Sequence, residues 1–185
     1  MNGYKLPTSL NIGGVDYNIR SDFRVALDII EATNDPDLDE AWKAEILIRI
    51  LFEDYTKIPP EHMGEALEKA SDFLDCGQVD DGKPHPRLID WEQDASLIIP
   101  AVNSVAHGEV RAMPNLHWWT FFAYFMEVGE SQLASVLHIR QKKAKRKKLE
   151  KWEQEFYREN KHLIDLKAKE SEEEKAKKES MMKWL

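Results

Sequence analysis

From Leu10 to Ile19 the apolar residues Leu10, Ile12, Val15, Tyr17 and Ile19 alternate with polar ones on either side of Gly13-Gly14. A period of two suits a strand with one covered face, and paired glycines supply the positive φ angles of a two-residue turn. The pattern therefore predicts an N-terminal β-hairpin. From Ser21 the period becomes helical: Ser21 stands at an N-cap position, Asp22 complements the positive helix end, and Phe23, Leu27 and Ile30 share a face. Asn34-Asp35-Pro36 stops this helix, predicted over 22–33. In a second, central helix Leu38, Trp42, Ile46 and Arg49 share one line, and Ala41, Ile48, Leu51 and Phe52 widen its apolar side. After Pro59-Pro60 a third begins with Pro60 or Glu61 in its first turn, and Met63, Ala66, Leu67, Ala70, Phe73 and Leu74 keep helical spacing up to Cys76-Gly77.

Residues 76–88 lose all periodicity and read as an exposed loop. Asp90 then caps a helix carrying Trp91, Asp94, Ala95, Ile98, Val102 and Val105 on one face, with a kink expected near 96–100 from Pro100 and a stop at His107-Gly108. An aromatic helix follows over about 115–128, with Trp118, Phe121, Phe122 and Phe125 at core spacing and Trp119 and Met126 toward another face. Ser131 caps a last helix whose apolar start, Leu133, Val136 and Leu137, gives way to Lys142, Lys143, Lys145, Arg146, Lys147 and Lys148. Leu149, Trp152 and Phe156 then form a narrow stripe, and the text beyond about 167 reads as solvated helix or disorder ending in Met181, Met182, Trp184 and Leu185. The fold class is mainly α: a small hairpin, five or six helices and a charged C-terminal helical extension. The expected organisation is a core domain over 1–140 and an extension over 141–185.

Charge sharpens that division. Residues 1–90 carry nine basic and nineteen acidic side chains, whereas 138–158 carry nine basic and three acidic, within a net charge of −8. The single cysteine, Cys76, excludes an intramolecular disulfide and reads as a small packed side chain. No apolar run approaches the ~20 residues of a membrane span, and Met1-Asn2-Gly3-Tyr4-Lys5 lacks a secretory signal's apolar region, so the protein is expected to stay where it is made.

Catalytic chemistry finds little support. The six histidines are scattered without an HxxxH pair, so no metal site is expected. His117 reads as a capping or core histidine. Asp90 and Asp94, one turn apart, resemble an acid/base pair less than a cap and an ion-pair partner of Arg87 or Arg140. Neither a Walker loop nor a GxGxxG turn is present, so the expectation is a non-enzyme without cofactors. The run Lys142, Lys143, Lys145, Arg146, Lys147 and Lys148 can track phosphates, but aromatic residues for base stacking are not interleaved with it, which leaves nucleic acid as the alternative. It reads first as a solvated helix face or a patch for an acidic protein. Trp119, Phe122 and Met126, with Trp152 and Phe156 on the extension, are the candidate partner-binding surface, because tryptophan buries much area for few rotors and methionine repacks easily.

Several segments resemble one family in its own order. Ile12-Gly13-Gly14-Val15-Asp16-Tyr17-Asn18-Ile19, Asp22-Phe23-Arg24 and Phe73-Leu74-Asp75-Cys76-Gly77 are similar to the first half of the phage gene-product-fifteen family. Asp90-Trp91-Glu92-Gln93-Asp94-Ala95, Ile98-Ile99, Leu116-His117-Trp118-Trp119-Thr120-Phe121 and Ile139-Arg140 are similar to its second. The resemblance reaches about residue 166. It implies a tail assembly chaperone of long-tailed phages and prophages of Gram-positive bacteria. Such a protein works in the host cytoplasm, binds the helical tape measure protein, helps recruit tail tube subunits, and is absent from the finished particle; self-association and a structural tail role are further possibilities. The family supplies no catalytic residues to carry over.

Overall fold

The computed structural model describes residues 5–78, 82–83 and 85–167. The extension beyond Lys167, with Met181, Met182, Trp184 and Leu185, and part of the expected 76–88 loop lie outside the described residues. The chain is mainly helical, with eight α-helices and one two-stranded antiparallel hairpin among the described residues. It divides into two compact units, one up to Gln78 and the other from Val79 to Lys167. Residues 141–167, expected as the start of the extension where the charge changes, belong to the second of these units.

In the first unit, β1 (Ser9–Ile12) pairs with β2 (Val15–Asn18), Ile12 opposite Val15 and Leu10 opposite Tyr17. Gly13 and Gly14 take φ +56° and +84°, the left-handed pair that a tight hairpin turn demands. Glycine is required at 13 by its positive φ and by space, since a Cβ there would sit 2.6 Å from the His62 ring; its N–H donates to Glu65 at 2.9 Å. Helices α1 (Phe23–Thr33), α2 (Glu40–Leu51) and α3 (Met63–Leu74) complete the unit, the last entered through a 3-10 turn at Pro60–His62.

Asp22, not Ser21, is the N-cap of α1, since its carboxylate accepts the Arg24 N–H at 3.0 Å. Asp39 caps α2 in the same way. The buried face of α2 is Leu47, Ile48 and Leu51, which turns Trp42 outward at 56% exposure, contrary to the stripe drawn through Trp42 and Arg49. The core gathers Ile12, Phe23, Ile29, Leu51, Phe52 and Phe73.

In the second unit come α4 (Ala95–Ala106), α5 (Trp118–Met126), α6 (Gln132–Ala144), α7 (Lys151–Glu159) and α8 (Lys161–Ile164). Residues 91–94 form turns, and α4 starts at Ala95, later than expected from Asp90. Asp90 still does a cap's work, accepting the Glu92 and Gln93 N–H groups at 3.1 and 2.8 Å. Helix α4 runs through Pro100 as one element. Pro100 and Ser96 are both exposed, so the Ser96 carbonyl that loses its helical donor faces solvent.

The expected last helix is three. Helix α6 ends at Ala144, Arg146 takes φ +52°, and the Arg146 and Lys147 N–H groups bond back to the Lys143 and Lys142 carbonyls. This is a Schellman-like stop with arginine where glycine is usual. Helix α7 restarts behind a capping box of Glu150 and Glu153. The two extra breaks explain why eight helices stand where five or six were expected.

Candidate partner-binding groove

Helix α5 is aromatic on all sides, and its neighbours decide which rings are covered. Trp118, Phe121 and Phe125 are buried against Trp91, whose ring centroid lies 5.8, 6.4 and 5.0 Å from theirs, while Phe122 is half-buried. The T-shaped contact of Trp91 with Trp118 is a favoured arrangement, contributing about 0.5–1.5 kcal/mol beyond the area it buries. His117 caps α5 as expected: its Nδ1 accepts the Trp119 N–H at 3.1 Å, and its ring meets the Trp119 indole edge-on at 6.3 Å. Trp119 is half-buried.

At the C-terminal end of α5 the covering stops. An open apolar groove of about 430 Å3 is lined by Leu88, Ile89, Phe125, Met126, Leu133, Leu137 and His138, and Met126 at its edge is 61% exposed. The stacking of His138 on Trp152, centroids 6.3 Å apart and planes within 15°, brings a second exposed apolar residue to the same place, with Trp152 at 52% exposure. Of the five expected partner-binding residues, Met126 lines the groove and Trp152 stacks on His138, which lines it too. Phe122 lies 6.1 Å behind Phe125, which lines the groove, while Trp119 and Phe156 do not line it. Phe156 is half-buried on α7. The reading of single helices missed Leu137 and His138. Their signal was the i, i+4 spacing of Leu133 and Leu137 beside His138.

Two ionic networks hold this groove's walls. Arg140 is 5% exposed and uses its whole donor set. Nη1 and Nη2 grip the two Asp94 oxygens at 2.6 and 2.8 Å, Nη1 also reaches the Leu88 carbonyl, and Nε and Nη2 reach the carbonyls of Ile164 and Leu163. A bidentate guanidinium–carboxylate pair fixes both groups in one plane. Asp94, expected as the partner of Arg87 or Arg140, takes Arg140, and Arg87 pairs with Asp90.

The second network centres on Glu153, fully buried and held by Lys142, by His138 Nε2 at 2.8 Å and by the Glu150 N–H at 2.6 Å. The Lys142 ammonium, outweighing burial, holds the Glu153 carboxyl down at about 2. Burial alone would raise the Asp165 carboxyl, but Lys143 and the Tyr157 hydroxyl outweigh it and keep it below the usual carboxylate range.

These contacts redraw the basic patch. Lys142 and Lys143 are engaged with Glu153 and Asp165, whereas Lys145, Arg146, Lys147 and Lys148 are exposed in the α6–α7 turn and so do not form the continuous helical face expected. Cys76 is half-buried with φ +55°, and burial, with Asp75 beside it, pushes its thiol up to about 12, leaving it protonated and unreactive. Among the described residues no cluster of His, Cys, Asp and Glu could hold a metal ion, and no helix is long and apolar enough to cross a membrane.

A hairpin with helices, an aromatic α5 and a buried Arg140–Asp94 pair define a mainly helical protein with an open apolar groove between α5 and α6. The chain belongs to the family described as Bacteriophage Gp15 protein, which it matches over residues 4–166, and it is therefore a phage protein. No curated protein and no solved structure matches it.

Proposed function

We propose that this protein is a tail assembly chaperone, a non-enzymatic factor of the host cytoplasm. In this reading it binds the helical tape measure protein, helps bring tail tube subunits to it, and leaves before the particle is finished. Family membership supports the phage setting, and the observation that carries the binding role is the open groove edged by Met126. An amphipathic helix laid in such a groove buries its apolar stripe. Covering 400 Å2 of that stripe is worth on the order of 10 kcal/mol before the costs of association, which bring each contact down to modest, reversible strength. Many copies along one long partner then act by avidity, and tube subunits can displace them singly.

Co-expression with the tape measure protein tests this reading. The wild-type chain should raise the partner's soluble fraction and co-purify with it. Met126→Glu, at an exposed position, should remove both effects without changing the chaperone's own fold. Unchanged partner solubility with the wild-type chain, and no co-purification, would overturn it. Absence from purified virions separates the chaperone from a structural tail component.

A further inference from the structure

Unit 1 holds an apolar groove of its own, of about 440 Å3, between α2 and α3. Ala44, Ile48, Met63 and Leu67 line it, with Tyr55 and Arg49 beside them. Its wall is open at Gly64, where an added Cβ would meet nothing within 4 Å. The surrounding unit is strongly acidic: residues 5–78 carry sixteen acidic and seven basic side chains. A fitting occupant therefore brings a large apolar side chain with cations next to it.

Among the described residues the exposed large hydrophobic side chains are Leu6, Val15, Trp42, Met126 and Trp152. The first three belong to the acidic unit itself, and Met126 is followed by Glu127 and Glu130. The segment around Trp152 has a basic excess: its indole N–H donates to Glu150 at 3.3 Å, but Lys151 stands beside it and the exposed Lys145, Arg146, Lys147 and Lys148 come just before. One side of its indole lies against His138, yet 52% of the residue is open.

We propose that the occupant of the α2–α3 groove is a second copy of this chain, whose Trp152 enters the groove while its Lys145–Lys148 turn faces the acidic unit. One such contact leaves a free groove on the first copy and a free knob on the second, which either close reciprocally into a two-fold pair or repeat into chains or rings. One indole buries about 150–250 Å2, far below the ~800 Å2 per partner of stable complexes, so the association is weak and depends on concentration. Its charge component is screened by salt, which shortens the Debye length from about 8 Å at 0.15 M to ~3 Å at 1 M.

Sedimentation velocity on the full chain without any partner tests this. The average mass should rise above that of the monomer with concentration at low salt and fall back as salt is added. Trp152→Ala should weaken association about tenfold, equivalent to ~1.4 kcal/mol. Gly64→Leu, which fills the groove at a position with free space, should do the same while the far-ultraviolet circular dichroism stays unchanged. Joint reversal of Lys145, Arg146, Lys147 and Lys148 to Glu should invert the salt dependence, because salt then screens a repulsion from the acidic unit. A monomer at every concentration, or association indifferent to Trp152→Ala and Gly64→Leu, would overturn the proposal. So would loss of association only on changing Met181, Met182 and Trp184 to Ala, which would give the groove to the C-terminal segment.

Discussion

The interior of unit 1 is apolar, whereas unit 2 buries Asp90, Asp94, Arg140 and Glu153 within its core. No buried side-chain donor or acceptor is left without a partner among the described residues, so these charges are fully matched. The two interiors nevertheless respond to different insults. An apolar core loses stability in proportion to the area and volume removed from it, at any pH. A buried ion pair repays its desolvation only while both members are present and charged.

Removing one partner is the most severe way to break this comparison. Arg140→Ala leaves Asp94 uncompensated and strips donors from three carbonyls, so it should destabilise unit 2 by about 3–5 kcal/mol. Phe73→Ala should cost unit 1 a similar ~3–5 kcal/mol by opening a cavity. Hydrogen exchange of amides in each unit reads the two separately. Arg140→Met combined with Asp94→Leu removes the unpaired charge and should recover part of the first loss, the carbonyls of Leu88, Leu163 and Ile164 still lacking their donor.

Acid provides a milder contrast. The folded Glu153 carboxyl sits at about 2 against an ordinary 4.5, so its contribution is complete above pH 4.5 and is lost as the pH falls from there toward 2. The stability difference between wild type and Glu153→Gln, from urea midpoints, should shrink across that window. A difference that is flat with pH would remove Glu153 as the sensor.

The smallest effect concerns Arg146. Its left-handed φ favours glycine, so Arg146→Gly should stabilise unit 2 by about 0.5–1 kcal/mol, visible as a small rise in thermal midpoint.

The hairpin was legible because Gly13-Gly14 leaves one economical turn, and the cap Ser131 lies beside a clear change of period. Local chemistry dominated in those places. Helix α2 shows the limit: Trp42 and Leu51 are both apolar, and only packing against α1 and α3 decides that Leu51 is covered and Trp42 is not. The lysine run misled for a related reason. Helix propensity favours continuing through Lys145–Lys148, but Glu153 and Asp165 draw Lys142 and Lys143 back and the chain breaks at Arg146.

In the candidate site, Met126 and Trp152 were readable as unpartnered apolar residues. The stacking of Trp152 on His138 was not, because a stack across separate helices leaves no periodic trace. Glu153 had a local signal in the Glu150-x-x-Glu153 capping box, but its burial depends on Lys142 and His138 in another helix.

The guanidinium of Arg140 gathers carbonyls from Leu88, Leu163 and Ile164. On the ribosome this sets an order. Residues up to Gln78 emerge well before the last acceptors of Arg140, whose side chain stays solvated until translation has passed Ile164. A polypeptide stalled or terminated before that point would display an unfinished α5–α6 groove, open to proteases.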